Sequence, residues 1–229
     1  MPRRNPIALG DIALHAARVA VFATALFVAA PRSLVCGAVA SAALFFAAFA
    51  LAHDLAHGAL RLPRRVNAIA LSAAAMGMLV SGHAMRIMHL RHHARPLADD
   101  DVEGEGARLS MLQAIAMGPR NAVALRVAAF RASRGRVRAW QIGESTFALA
   151  LVLSSAAIGA RALLVHVAVC VALQLTMNVW ASHIPHHAPR WLTRFAERLA
   201  FTRSPLFLSL AFHDLHHERP AIPCQQLGR

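Results

Sequence analysis

Uninterrupted apolar runs, not amphipathic stripes, set the pattern of this chain. Four of them approach the roughly 20 residues that a helix needs to cross a bilayer: Ile12–Ala30, Ser33–Ala52, Thr146–Ala160 and Leu163–Ala181. Ser33–Ala52 carries no charge. Ile12–Ala30 is the least regular, because His15 and Arg18 lie in its opening turns, and snorkelling of the long side chain toward the interface is the expected remedy. Only a short link around Arg161 separates the last two runs, so they return as a hairpin. Val66–Val80 is apolar as well, but a crossing there would put His89, His92 and His93 on the opposite side from His53, and it is read as re-entrant or interfacial. Met111–Arg138 alternates apolar blocks with arginines, as a basic helix in the headgroup plane would. Leu199–Phe212 is apolar, broken by Pro205 and too short to span; it is placed as a cover. The sequence thus predicts one all-α, integral membrane domain over residues 1–229, with about four spanning helices in two hairpins and a helical cap.

Composition agrees. The chain is 57% hydrophobic with a mean hydropathy of +0.47, above the apolar share of ordinary soluble domains. Its formal charge is +13 and every basic residue is Arg. Nucleic acid is the competing partner for so basic a chain, but the arginines fall in short stretches between apolar runs instead of forming one stripe, which suits anionic headgroups and not a nucleic acid. Arg3/Arg4, Arg61/Arg64/Arg65, the set from Arg120 to Arg138, and Arg190/Arg194/Arg198/Arg203 all fall on one side of the proposed topology; the opposite turns hold only Arg32 and Arg161. By the positive-inside rule both termini are cytoplasmic, in what is expected to be a bacterial inner membrane. No cleavable leader is expected, and Cys36, Cys170 and Cys224 suggest no disulfide framework.

The candidate chemistry is imidazole. Eleven of the fourteen histidines fall in four clusters with spacings of three or four: His53/His57, His89/His92/His93, His183/His186/His187 and His213/His216/His217. On a helix such spacings share one face, so each cluster aims its rings at a common point. The clusters border the apolar runs, on the cytoplasmic side in this topology, where ionisable groups are costly and function is the default explanation. There are too many imidazoles, and no cysteine in any cluster, for one structural zinc; two metal ions fit better, and imidazole suits iron, copper, nickel or zinc alike. Asp54, Asp99, Asp100, Asp101 and Asp214 are candidates to accept the outer ring N–H of a ligand. His15 and His166 carry no ligand pattern.

Three stretches resemble a known family: His53-Asp54-Leu55-Ala56-His57-Gly58, then His89-Leu90-Arg91-His92-His93 with Asp99–Asp101 behind it, then His213-Asp214-Leu215-His216-His217-Glu218-Arg219-Pro220. Their order and spacing are similar to the three histidine boxes of the membrane fatty acid desaturase superfamily, which includes fatty acid desaturases, carotenoid ketolases and hydroxylases, and other lipid hydroxylases. The resemblance implies two non-haem irons held by His53, His57, His89, His92, His93, His213, His216 and His217, with no catalytic residue beyond the ligands. A further histidine closes the last spanning helix in several members, and His183 is the choice for it. Some members place an Asn four residues before that His; Asn178 lies five before His183. His186 and His187 are alternates or outer partners.

The resemblance further implies an O2-dependent lipid oxidoreductase. Fatty acyl desaturation is the principal reading, and carotenoid ketolation or hydroxylation the alternative, which the HDxxHG first box also suits. The implied partners are a lipid substrate and an external electron donor such as a ferredoxin with its reductase. A reading from another class, a non-catalytic metal-binding membrane protein, calls for histidines strung through the bilayer core along a path; here they gather at one face.

Overall fold

The computed structural model describes residues 6–228, and no strand occurs among them. Helix α1 (Leu9–Ala29) and helix α2 (Leu34–His57) form the first hairpin, and the Ser33 hydroxyl caps α2 by accepting from the Cys36 N–H. Leu26 and Ala30 pack on Ala40 and Leu44 to close it. Both helices are long and apolar enough to cross a membrane. Val21, Phe27, Val35 and Val39 stand outward and exposed, an arrangement that is stable only where the surroundings are lipid. The polar residues of α1 do not snorkel. His15 and Arg18 turn inward, His15 to Asp54 at 3.0 Å and Arg18 to the Gln225 side chain and the Arg203 carbonyl at 2.9 and 2.7 Å.

α2 runs beyond Ala52 and carries the first histidine box in its last turns. Helix α3 (Arg64–Met76) has 13 residues, about 20 Å at 1.5 Å per residue and therefore too short to cross. A reversal over Gly77–Val80 leads into helix α4 (Gly82–Ala94), capped by Ser81, which brings the second box back to the end of α2. Leu55, Leu60, Leu71 and Met78 make the core beneath this reversal.

Helix α5 (Met111–Ala132) opens on a capping box of Ser110 and Gln113. It is not the single basic helix expected over Met111–Arg138. The chain is extended at Ser133 and Arg134, and Arg136 and Arg138 belong to helix α6 (Gly135–Ile158), a third spanning candidate that starts eleven residues before Thr146. Helix α7 (Arg161–Leu175) returns from it. Past Leu175 the helix widens into a π-helical segment, Asn178–His183, and ends as helix α8 (Ile184–His187), bent by 52° from α7; together they make the fourth candidate span.

The remainder is a cap of short helices: α9 (Arg190–Arg198), α10 (Pro205–Ala211) and α11 (His213–Glu218), the last holding the third box. The tail packs Cys224 and Leu227 against Ala50 and Leu208. Because α2 and the α7–α8 pair are each the returning arm of a hairpin, their histidines emerge at the same end. Arg3 and Arg4, used in the charge-bias reasoning, lie outside the described residues.

Candidate metal centre

Four elements deliver the imidazoles. The last turns of α2 present His53 and His57, α4 presents His89, His92 and His93, α8 presents His186, and α11 presents His213, His216 and His217. The rings sort into two nests. In the first, one ring nitrogen each from His53, His57, His89, His93 and His216 lie within 4.8 Å of one another. In the second, His92, His186 and His217 do the same, and His213 Nε2 adjoins them at 3.3 Å from His186 Nε2. The nests share a wall, where the His93 and His217 rings stack at 4.4 Å.

The spacings test whether an ion fits. Within the first nest, His53 Nε2 and His93 Nε2 each lie 3.0 Å from His216 Nε2, and His57 Nε2 lies 2.9 Å from His89 Nε2. One ring proton on His216 could serve only one of its two neighbours. A cation serves all three: a first-row divalent ion binds imidazole at about 2.0–2.1 Å, so ligands at right angles stand about 3 Å apart. The donor set, all nitrogen and no sulfur, fits a first-row ion such as iron, copper, nickel or zinc.

Carboxylates fix which nitrogen faces inward. His89 donates Nδ1–H to Glu103 at 2.6 Å and His92 donates to Asp101 at 2.7 Å, leaving each Nε2 lone pair aimed into its nest. Asp101 also accepts from the Leu97 and Gly104 N–H groups. Gly104 permits this closeness, because a Cβ there would collide with Asp101 Oδ2. In the first box, Asp54 stands 3.5 Å from His53 Nδ1 and is held by His15 and by the backbone N–H of Cys224, which reaches its oxygens at 2.9 and 3.1 Å.

Electrostatics keep the nests ready for a cation. Burial, reinforced by neighbouring imidazoles, lowers His213 to about 3 and His217 to about 4, and pushes His89, His93 and His216 lower than the usual range. These rings are neutral, lone pairs free, at any physiological pH. For His92 burial is again the largest single cause and lowers it, but the bond to Asp101 together with the negative charges of Glu103 and Asp101 outweighs it and raises the ring. Burial lifts Glu103 to about 7.

Several sequence expectations shift. His183, chosen to complete the ligand set, stays outside both nests: its Nδ1 faces the Gly106 carbonyl at 3.2 Å and its ring stacks on His187. The bend past α7 turns His186 inward instead, and His187 is exposed. Gly106 allows the approach, since a Cβ there would strike the Asn178 carbonyl. The π-helical segment closes its turns over five residues, so Asn178 and His183 share a face despite their spacing. The Asn178 amide is 1% exposed and hydrogen-bonds to no described group. Asp214 is exposed and pairs with no imidazole among the described residues. Of Asp99, Asp100 and Asp101 only the last touches a ring; Asp100 pairs with Arg91 and Arg95 at the surface.

Three supporting residues carried no sequence signal of their role. Glu103 sits in a 3-10 turn (Glu103–Arg108) that reads as a linker. His15 is a lone histidine whose partner lies 39 positions away. The Cys224 contact is made by backbone.

A cavity of 970 Å³ leads to the nests, at the upper end of the range for ligand pockets. Its walls are mostly apolar. Trp180, from the π-helical segment, meets Phe45, Phe46 and Phe49 edge-to-face at 5.8, 5.2 and 5.1 Å and stiffens one side. Leu206 and Leu210 of α10 line another. His53, His89, His93, His213, His216 and His217 all reach its lining.

Comparison with known families gives one match: the family described as fatty acid desaturase, over residues 27–229. No curated protein and no solved structure matches the chain at a significant level.

Proposed function

As the chain belongs to the fatty acid desaturase family, whose members are desaturase- and hydroxylase-type lipid oxidoreductases, we propose that it desaturates a fatty acyl chain with O2 at two irons. The observation that carries this reading is the pair of imidazole nests opening on one long apolar cavity inside a membrane-type helical fold. We assign His53, His57, His89, His93 and His216 to one iron, and His92, His186, His213 and His217 to the other. When bound, the irons supply the O2 activation and oxidising power that an unactivated C–H bond demands and redox-silent zinc lacks.

The protein's own share is positional. Phe45, Phe49 and Trp180 hold an extended apolar chain in one orientation and exclude water. Glu103 and Asp101 fix the tautomers of His89 and His92, and Asp54 backs His53. The balance is one O2, two electrons and two protons consumed with the two hydrogens of a CH2–CH2 unit, giving one alkene and two waters. The electrons require an external one-electron carrier, for which a ferredoxin-like protein with its reductase is the natural class, and the +13 charge favours an acidic one. The arginine bias supports a cytoplasmic position for the nests in a bacterial inner membrane.

The test is expression in a host of defined lipid composition followed by mass analysis of extracted acyl chains and carotenoids. The expected product has lost two hydrogens. A product that has gained oxygen moves the reading to hydroxylation or ketolation, and one zinc or copper per purified chain instead of about two irons rejects the oxygenase reading altogether.

A further inference from the structure

Helix α9 is separated from the last candidate spanning segment only by Ala188 and Pro189, so it follows directly on the histidine end of that segment. Its nine residues, Arg-Trp-Leu-Thr-Arg-Phe-Ala-Glu-Arg, divide around the axis into three stripes. Arg190, Arg194 and Arg198 follow one another at i, i+4 and i+8. Trp191 and Phe195, at i and i+4, form the adjacent stripe. Ala196, fully buried, marks the side facing the protein.

The outward stripes are largely open, Phe195 alone having an aromatic neighbour in Phe207. Trp191 is 70% exposed, Phe195 50% and nearby Phe201 80%. No hydrogen bond or ion pair engages Arg190, Arg194 or Arg198 among the described residues. Arg203 differs, since it lies 3.8 Å from Asp11. Glu197, beside the arginine stripe, leaves the helix with three positive charges against one negative. Aromatic rings placed between a row of guanidiniums and the protein surface suit one environment: rings at the glycerol level, cations among phosphates.

We propose that α9 is a docking surface for anionic lipid headgroups and that this contact steadies the third histidine box. The link is mechanical. Phe195 packs edge-on against Phe207 of α10 at 6.2 Å, Leu206 and Leu210 of α10 line the cavity, and α10 runs through Phe212 into His213. The leaflet thus seats the cover over the cavity. This inference needs only the fold and holds whatever reaction the nests perform.

The test uses the full-length protein in nanodiscs of phosphatidylcholine alone or of an equimolar mixture with phosphatidylglycerol. Hydrogen exchange over residues 190–217 is expected to slow in the mixture. An arginine near an anionic surface is worth roughly 1 kcal/mol, or about a fivefold change in an equilibrium, so three arginines give on the order of a hundredfold as an upper bound. The charge-removing triple variant Arg190→Gln/Arg194→Gln/Arg198→Gln is expected to lose the lipid effect, and the charge-keeping triple Lys variant to retain it. Fluorescence quenching by lipids brominated near the headgroup, taken as the difference between the parent and Trp191→Phe, is expected to report Trp191 in the bilayer. Equal exchange in both lipids overturns the proposal. So does slowing that survives the Gln variant, an unquenched Trp191, or protection that appears only when an acidic protein is added.

Discussion

Replacing Asp101 by Asn tests how a carboxylate governs a metal nest that it does not line. Asp101 is buried, with 3% of its side chain exposed. Its Oδ2 accepts from His92 Nδ1 at 2.7 Å and from the Leu97 N–H at 2.9 Å, and its Oδ1 accepts from the Gly104 N–H at 3.0 Å. An amide is the same size but has only one acceptor atom. Whichever way it is turned, an NH2 group faces a backbone N–H or the His92 ring. Turned toward the ring, it favours the tautomer with the proton on Nε2, and His92 then presents a proton instead of a lone pair to the second nest. Loss of such an outer partner weakens metal binding by about 10–100-fold, equivalent to about 1.4–2.7 kcal/mol. Iron affinity measured by chelator competition on the purified protein should fall by that amount in D101N, with the second iron leaving first. D99N and D100N, neighbours at the surface, should stay within about twofold, because exposed ion pairs such as Asp100 with Arg95 contribute only about 0–1 kcal/mol. Equal iron affinity in all three variants would refute the reasoning, and so would a loss shared equally among them.

The choice between His186 and His183 is open to metal analysis: H186A is expected to retain about one iron in place of two, whereas H183A keeps both and loses about 1 kcal/mol of stability with its bond to the Gly106 carbonyl. Substituting His15 by Ala removes one partner of the buried Asp54 and leaves it to Cys224 and His53; thermal melting of the metal-free protein in detergent should show a loss of about 1–3 kcal/mol, and an unchanged melt would contradict the network. Val152 of α6 lines the cavity, and filling the space with V152W should shift product profiles toward shorter acyl chains or abolish turnover while iron content stays at the parent value, which separates cavity shape from metal loading. Dialysis against a chelator should abolish O2 consumption, with Fe(II) restoring it and Zn(II) not.

The three boxes were legible in the sequence because each sits on a helix, where spacings of three and four fix a shared face regardless of what the helix packs against. Uninterrupted apolar runs gave the all-helical, membrane-type fold with three to four candidate spans, although α6 begins eleven residues before the run that marked it. The rest depends on tertiary geometry. The sequence favours His183 over His186, and the widened turn after Leu175 with its 52° bend, which no spacing foretells, brings His186 beside His92 and His217. Glu103 lies 14 positions from the ring it serves, in a turn with no periodicity of its own. Asp214 misleads for the complementary reason: its place in the box suggests a partner, but the face it occupies on α11 points to solvent.

The order in which residues enter the site bears on biogenesis. Asp54 and the first two boxes belong to the first half of the polypeptide, whereas His213, His216, His217 and the Cys224 amide that grips Asp54 are translated roughly 120 residues or more after His93. Domains begin to organise from the N-terminal side during synthesis. On the ribosome, then, an open half-nest of imidazoles is present well before its closing segment exists, and a loose metal ion can enter and leave. Closure of the nests around an ion waits until the segment from His213 to Cys224 has emerged, which gives a chaperone or a quality-control protease an interval to act.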